Sequence, residues 1–296
     1  MSQKIGEKGT KAMKVTRMAV VGAGLMGSGI AQVAARAGLE VKMRDIDDRL
    51  VEGGLNSIRK NLEQSVARQR ITEDEAKAVM ARIAGVVDLA QAAKEADIII
   101  EAITENMELK KELFTQLDKL CPAETIFASN TSSLSITEMA SATQRAPRFV
   151  GMHFFNPVPA MRLVEVVRGY GTSQDTVDAA RELAERMGKT PIEAKDSPGF
   201  IVNRILVPMI NEALYLLMEG VASAEDIDQA LVLGANHPMG PLTLLDLIGL
   251  DTQLAVMNTL YTELGDPKYR PCPLNRKLVR ARRLGRKVSK GIYDYT

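Results

Sequence analysis

The stretch MAVVGAGLMGSGIAQVAARAGLEVKMRD, residues 18–45, decides the fold. An apolar run from Met18 to Val21 breaks at Gly22, and Gly22, Gly24 and Gly27 form GxGxxG ahead of an amphipathic helical pattern. Gly38 stands where a helix C-cap belongs, a second β-prone run follows from Glu40 to Arg44, and Asp45 closes it. Strand, tight turn, helix, strand and terminal acid is the order a dinucleotide-binding unit requires, which makes the signal stronger than three glycines alone. Gly22 permits the turn, Gly24 lets a pyrophosphate approach, and Gly27 allows helix and strand to pack closely. The phosphates then meet unpaired N–H groups and the positive end of a helix dipole. Asp45 is placed to accept hydrogen bonds from a ribose diol and would repel a 2′-phosphate. NAD is therefore the expected cofactor, with NADP kept as the lesser alternative by Arg44 next door.

Working outward, a chain of 296 residues exceeds the ordinary size of one domain. Its 38 basic and 37 acidic side chains give no polyelectrolyte signature, so no nucleic-acid partner is expected. Cys121 and Cys272 fit neither a metal spacing nor a disulfide framework, which points to a reducing, cytoplasmic compartment. Residues 1–15 read as a disordered extension and not as a signal peptide. The longest apolar stretch, Phe200 to Met218, is interrupted by Asn203, Arg204, Asn211 and Glu212, so no membrane span is expected. Strand candidates at Met18–Val21, Glu40–Arg44, Val86–Val87, Ile98–Ile103 and Thr125–Ala128 alternate with helical patterns, as parallel strands with crossover helices do. Thr72 with Glu75 and Ser135 with Glu138 fit capping boxes. Beyond AKDSPGF, residues 194–200, only helical patterns remain. The expected class is α/β: a Rossmann-type doubly wound sheet domain over residues 16–197, then an all-α domain over 198–296.

The candidate chemistry lies in GMHFFNPVPAMRLVEVV, residues 151–167. Two β-prone runs flank a segment punctuated by Pro157 and Pro159, which predicts a hairpin. With its centre at Pro159, His153 lies opposite Glu165, and cross-strand partners face one side within about 5.5 Å. A glutamate bound to one ring nitrogen fixes the tautomer and leaves the other nitrogen to take a proton from an alcohol. Such a pair is structural more often than catalytic, but beside a dinucleotide fold, whose dehydrogenases need a base, the catalytic reading prevails. His237, in a Gly/Pro-rich connection, reads as structural, and no metal site is expected.

Five segments in order, VVGAGLMGSGIAQVAARAG, ASNTSSLSIT, HFFNPVPAMRLVEVV, DSPGFIVNR and HPMGPLTLLDLIGLD, resemble the L-3-hydroxyacyl-CoA dehydrogenase family, most of all its bacterial 3-hydroxybutyryl-CoA branch. The resemblance runs from about Thr16 to the C-terminus. It implies NAD-dependent oxidation of an acyl-CoA substrate and a homodimer formed mostly through the helical domain. His153 matches the general base and Glu165 its orienting acid, while Ser132 and Asn203 match residues that hold the C3 oxygen. Unaided by the resemblance, Ser132 reads as a cap and Asn203 as a buried helix-end amide. Glu105 and Lys110 match cofactor contacts toward the nicotinamide side, although Lys110 in isolation reads as a solvated helix face. Leu25, Met26, Asn130, Ser132, Asn156 and Lys287 also fall at cofactor positions. Asn156 and Ser132 count as substrate contacts too, and Asn61 and Arg68 stand where the family carries a serine and a lysine that contact CoA. The closing segment departs from the family, with Val288-Ser289 and Ile292 where it usually has Thr-Gly and Phe.

Two other readings are compatible with a dinucleotide fold: a related dehydrogenase acting on a free 3-hydroxyacid, and an NAD-binding structural or regulatory protein without catalysis. The family relative acting on free acids relies on a lysine, against which the His153–Glu165 hairpin speaks. The basic run from Arg276 to Lys290 lacks interleaved aromatics and reads as a solvated face, not a nucleic-acid patch.

Overall fold

A computed structural model describes residues 15–295. Of the expected N-terminal extension, residues 1–14 lie outside the described residues. The described residues divide into two compact units, one of residues 15–131 and 135–196, the other of 132–134 and 197–295.

The first unit is built on one eight-stranded sheet. Its strands are β1 (Arg17–Val21), β2 (Glu40–Arg44), β3 (Ile83–Val86), β4 (Ile98–Glu101), β5 (Ile126–Ser129), β6 (Phe149–Phe154), β7 (Leu163–Arg168) and β8 (Thr190–Lys195). The order across the sheet is β3-β2-β1-β4-β5-β6-β7-β8, parallel except for the β6–β7 hairpin. Crossovers are supplied by α1 (Leu25–Arg36), α2 (Asp48–Ala67), α3 (Glu73–Ala81), α4 (Leu89–Ala93), α5 (Met107–Leu120) and α6 (Ile136–Ser141), with α7 (Gln174–Arg186) joining β7 to β8. Strands β4, β5 and β6 are buried at every position, as expected where helices cover both faces of a parallel sheet. Because β1 has β2 on one side and β4 on the other, the strand order reverses there. A crevice forms at the carboxyl ends of such strands.

The expected strands at Met18–Val21 and Glu40–Arg44 appear, the first one residue longer. The third begins at Ile83 instead of Val86, and the fourth ends at Glu101, because its backbone then turns to bring Ile103 N–H onto the Glu101 side chain. Strand β8 was not individually expected. Its Pro191 cannot donate to a ladder, and β8 tolerates it as an edge strand. At α3 the capping box is complete, with Thr72 and Glu75 each holding the other's backbone N–H. At α6 only half forms: Ser135 accepts from Glu138 N–H, but the Glu138 carboxylate pairs with Lys111 at 3.2 Å. Asp196 takes over the capping, accepting from Ile136 N, Thr137 N and Ser135 Oγ.

The second unit is helical: α8 (Val202–Glu219), α9 (Ala224–Ala235), α10 (Pro241–Ile248), α11 (Leu250–Leu264) and α12 (Pro273–Arg280). Ile210, Leu214, Leu242, Leu245 and Leu250 form its main core. Two buried carboxylates organise it. Asp228 accepts from Leu242 N, Thr243 N, Thr243 Oγ1 and Tyr293 Oη, so it caps α10 from outside that helix. Asp246 accepts from Ile292 N, Tyr293 N and Tyr295 Oη and thereby fastens the closing segment. No helix among the described residues is long and apolar enough to cross a membrane.

Candidate active site

Each glycine of the β1–α1 turn has a separate physical reason. Gly22 has φ +108°, and a side chain there would meet the Ala102 carbonyl oxygen at 2.4 Å. At Gly27 an added Cβ would lie 1.8 Å from the Gly22 oxygen, so helix and turn touch backbone to backbone. Around Gly24, by contrast, an added Cβ meets nothing within 4 Å. Gly24 is the N-cap of α1, whose first turn carries no acidic residue and receives no side-chain cap. Open space above unpartnered helix donors suits a pyrophosphate. Leu25, the first residue of α1, is 68% exposed on this rim, and Met26 follows it, half-buried.

Asp45 follows β2 and is half-buried; its two oxygens accept from Ala23 N and Ile46 N, each at 2.7 Å. The glycine turn is thus tied to the acid that the ribose reading requires. Arg44 donates its Nε to the Val87 carbonyl at 2.9 Å.

On the β6–β7 hairpin, His153 is registered directly opposite Glu165. Its Nδ1 lies 2.6 Å from Glu165 Oε2, and both side chains are buried. A carboxylate partner requires the proton on Nδ1, which makes Nε2 the basic nitrogen of the neutral ring. The Phe155 ring packs on the imidazole at a centroid distance of 4.4 Å. Asn130, after β5, accepts from Phe154 N at 2.8 Å and so steadies the strand one residue beyond the histidine. Asn156 is exposed at the start of the connecting loop.

Between β4 and α5 the structure corrects the reading of Lys110 as a solvated face. Lys110 is 1% exposed and its Nζ lies 2.6 Å from Glu101 Oε1 and 3.3 Å from Glu105 Oε2. Glu105 in turn accepts from Thr131 Oγ1 at 2.6 Å. The sequence reading misses Glu101; its signal is a charged residue closing the apolar run Ile98–Ile100. Asn61 is exposed on α2 and Arg68 exposed at its C-cap, seven residues on and so on the same helix face.

In the second unit Asn203 donates its Nδ2 to the Ser132 carbonyl at 3.1 Å. Lys287 is held by both oxygens of Asp251 at 2.6 Å. His237 is half-buried after α9, its backbone N–H on the Leu231 carbonyl. Among the described residues no cluster of three His, Cys, Asp or Glu side chains is placed to hold a metal.

Comparison with known proteins finds one family matched by both units of the chain. Residues 17–197 match the model of the 3-hydroxyacyl-CoA dehydrogenase NAD binding domain, and residues 199–295 that of the 3-hydroxyacyl-CoA dehydrogenase C-terminal domain. A Bacillus subtilis protein named probable 3-hydroxybutyryl-CoA dehydrogenase is 54% identical over 283 residues, covering 96% of this chain and 98% of its own. The 3-hydroxybutyryl-CoA dehydrogenase of Clostridioides difficile is 50% identical, covering 94% of this chain and 99% of its own. The crystal structure of (S)-3-hydroxybutyryl-CoA dehydrogenase from Ralstonia eutropha superposes with a TM-score of 0.92 at 51% identity, covering 96% of this chain and all of that one. With both domain models matched in order and relatives of this identity, the chain belongs to the 3-hydroxyacyl-CoA dehydrogenase family of enzymes.

Proposed function

We propose that this enzyme catalyses the reversible oxidation of a short-chain L-3-hydroxyacyl-CoA, such as 3-hydroxybutyryl-CoA, to the 3-oxoacyl-CoA, with NAD as cofactor. The observation that carries the reading is the buried 2.6 Å contact between His153 Nδ1 and Glu165 Oε2 in the NAD-binding domain of such a family. Glu165 holds the Nδ1 proton, so His153 Nε2 receives the proton of the C3 hydroxyl. The imidazolium that forms is stabilised by the same carboxylate, and in the reverse direction it returns the proton to the C3 oxygen. When bound, NAD supplies the acceptor for the hydride leaving C3. Ser132 and Asn203 are assigned to the C3 oxygen because a hydroxyl and an amide can bond an alcohol and then its ketone without changing charge.

The glycine turn with Leu25 and Met26 cradles the pyrophosphate, and Asp45 receives the adenosine ribose. The preference for NAD over NADP rests on the Asp45 carboxylate, which would repel a 2′-phosphate. Glu105 and Lys110 are assigned to the nicotinamide side, Asn130, Asn156 and Lys287 to further cofactor contacts, and Asn61 and Arg68 to the CoA portion. Exposed apolar side chains on the helical unit, Val221, Leu233 and Leu247 among them, favour a homodimer, and the two unpaired thiols favour the cytosol.

The test follows NADH oxidation with acetoacetyl-CoA. His153→Gln should lower kcat by about 10²–10⁴ while NADH still binds; wild-type turnover by this variant overturns the assignment of the base. Free 3-hydroxyisobutyrate reacting faster than the thioester would favour the free-acid relative instead.

A further inference from the structure

Glu101 is a fully buried carboxylate at the end of an apolar strand, 0% exposed, and its position has no part in the reaction described above. Burial pushes its carboxyl pKa up, opposed by Lys110 and by hydrogen bonds from Ser129 and Ile103. Every polar side of it is engaged. Oε1 accepts from Lys110 Nζ at 2.6 Å and Ile103 N at 2.7 Å, and Oε2 accepts from Ser129 Oγ at 2.5 Å. Ser129 Oγ also accepts from Thr131 N at 3.2 Å, while Glu105, on Lys110, accepts from Thr131 Oγ1. One carboxylate therefore ties together the two segments that leave β4 and β5, residues 103–105 and 129–131. These are adjacent strands, and their carboxyl ends are where a doubly wound sheet takes its ligand.

A buried ion pair is weak evidence for stability, because an apolar pair of similar volume is often as good or better. Its place at a strand end is better explained by preorganisation. Lys110 at 1% exposure has both glutamates within salt-bridge distance, and Glu105 at 38% is the member that faces outward. We propose that Glu101 is a positioning residue, which through Lys110 and Ser129 holds Glu105 and the 129–131 segment in the geometry that receives the nicotinamide half of the cofactor. This rests on the NAD-dependent reading above, and it makes Lys110 an intermediary to Glu105.

The experiment titrates NADH and, separately, ADP-ribose, which lacks the nicotinamide, against the full-length wild type and the variants E101Q, K110M and E101Q/K110M, alongside thermal unfolding. K110M leaves the buried Glu101 charge without its cation, and E101Q leaves Lys110 only the partly exposed Glu105, so both single variants should melt lower, K110M the more; the double variant removes both buried charges and should regain most of the melting temperature. Positioning predicts that the double variant stays at least tenfold weaker for NADH while ADP-ribose binds as in the wild type. Ser129→Ala, a milder lesion, should weaken NADH severalfold without affecting ADP-ribose, and it serves if the charge variants do not fold. Recovery of NADH affinity together with stability, or equal weakening of both ligands, overturns the positioning role alone. A wild type that binds no NADH overturns the dehydrogenase reading, and this proposal with it.

Discussion

At the scale of the residue, the β1–α1 turn separates a glycine needed for folding from one needed for a ligand. Gly27→Ala drives a methyl into the Gly22 carbonyl and should cost roughly 3 kcal/mol or prevent folding. Gly24→Ala meets no protein atom, so its thermal stability should change by no more than about 0.5 kcal/mol. NADH affinity should nevertheless fall about tenfold, near 1.4 kcal/mol. Equal thermal loss in both variants would contradict this division. The glycines and the His153–Glu165 pair were legible because their partners are close in sequence or set by the two-residue period of a strand. Glu101 and Asp196 were not: Asp196 meets Ser135 across 61 residues, and Glu101 meets Ser129 across 28. Only the folded chain brings such carboxylates to their donors. The same holds for Lys110, whose burial depends on a strand end that the sequence pattern runs two residues too far.

At the scale of the element, departures from regularity show where stability is stored. Ser289 adopts φ +55° after a short turn, at a position where the resemblance leads one to expect glycine. A left-handed residue other than glycine carries a penalty of about 1–2 kcal/mol. Ser289→Gly should therefore raise the unfolding free energy by about 1 kcal/mol, measured by denaturant titration; a loss would show that the serine hydroxyl matters more than its backbone. Asp97, just before β4, holds β1 by accepting from Thr16 N and Arg17 N, each at 2.8 Å. Burial alone would raise its carboxyl pKa, but the donors of Thr16 and Arg17 together bring it below the ordinary value. A folded pKa below the unfolded one gives stability that is complete above about pH 4 and is lost as pH falls through the folded value. The wild type should accordingly lose melting temperature more steeply below about pH 4 than Asp97→Asn, compared by thermal unfolding at stepped pH. The elements read least well from sequence are the two edge strands. β8 contains Pro191 and β3 contains Gly85, residues that a pattern search treats as breaks and an edge accommodates.

At the scale of the whole molecule, the change from alternating strands and helices to helices alone is visible in the periodicity, and the order of the elements shows it. What composition could not supply is the means by which the second unit closes on itself. Asp246 is 1% exposed and binds two main-chain N–H groups and a tyrosine hydroxyl of the final segment. Asp246→Ala leaves these donors without their acceptor and should destabilise the unit by about 1–3 kcal/mol, with amide exchange quickening first at Ile292 and Tyr293. Unchanged protection there would mean that packing alone retains the segment. The candidate base and its carboxylate contrast with this long-range closure. They ride on one antiparallel ribbon, in register across a single connection. Side chains alternate sides with every step along a strand, so the alignment depends on the parity of the loop count. One residue inserted among positions 157–161 and absorbed by slippage would turn the glutamate to the opposite side of the sheet, and two would restore its side while moving it along the ladder.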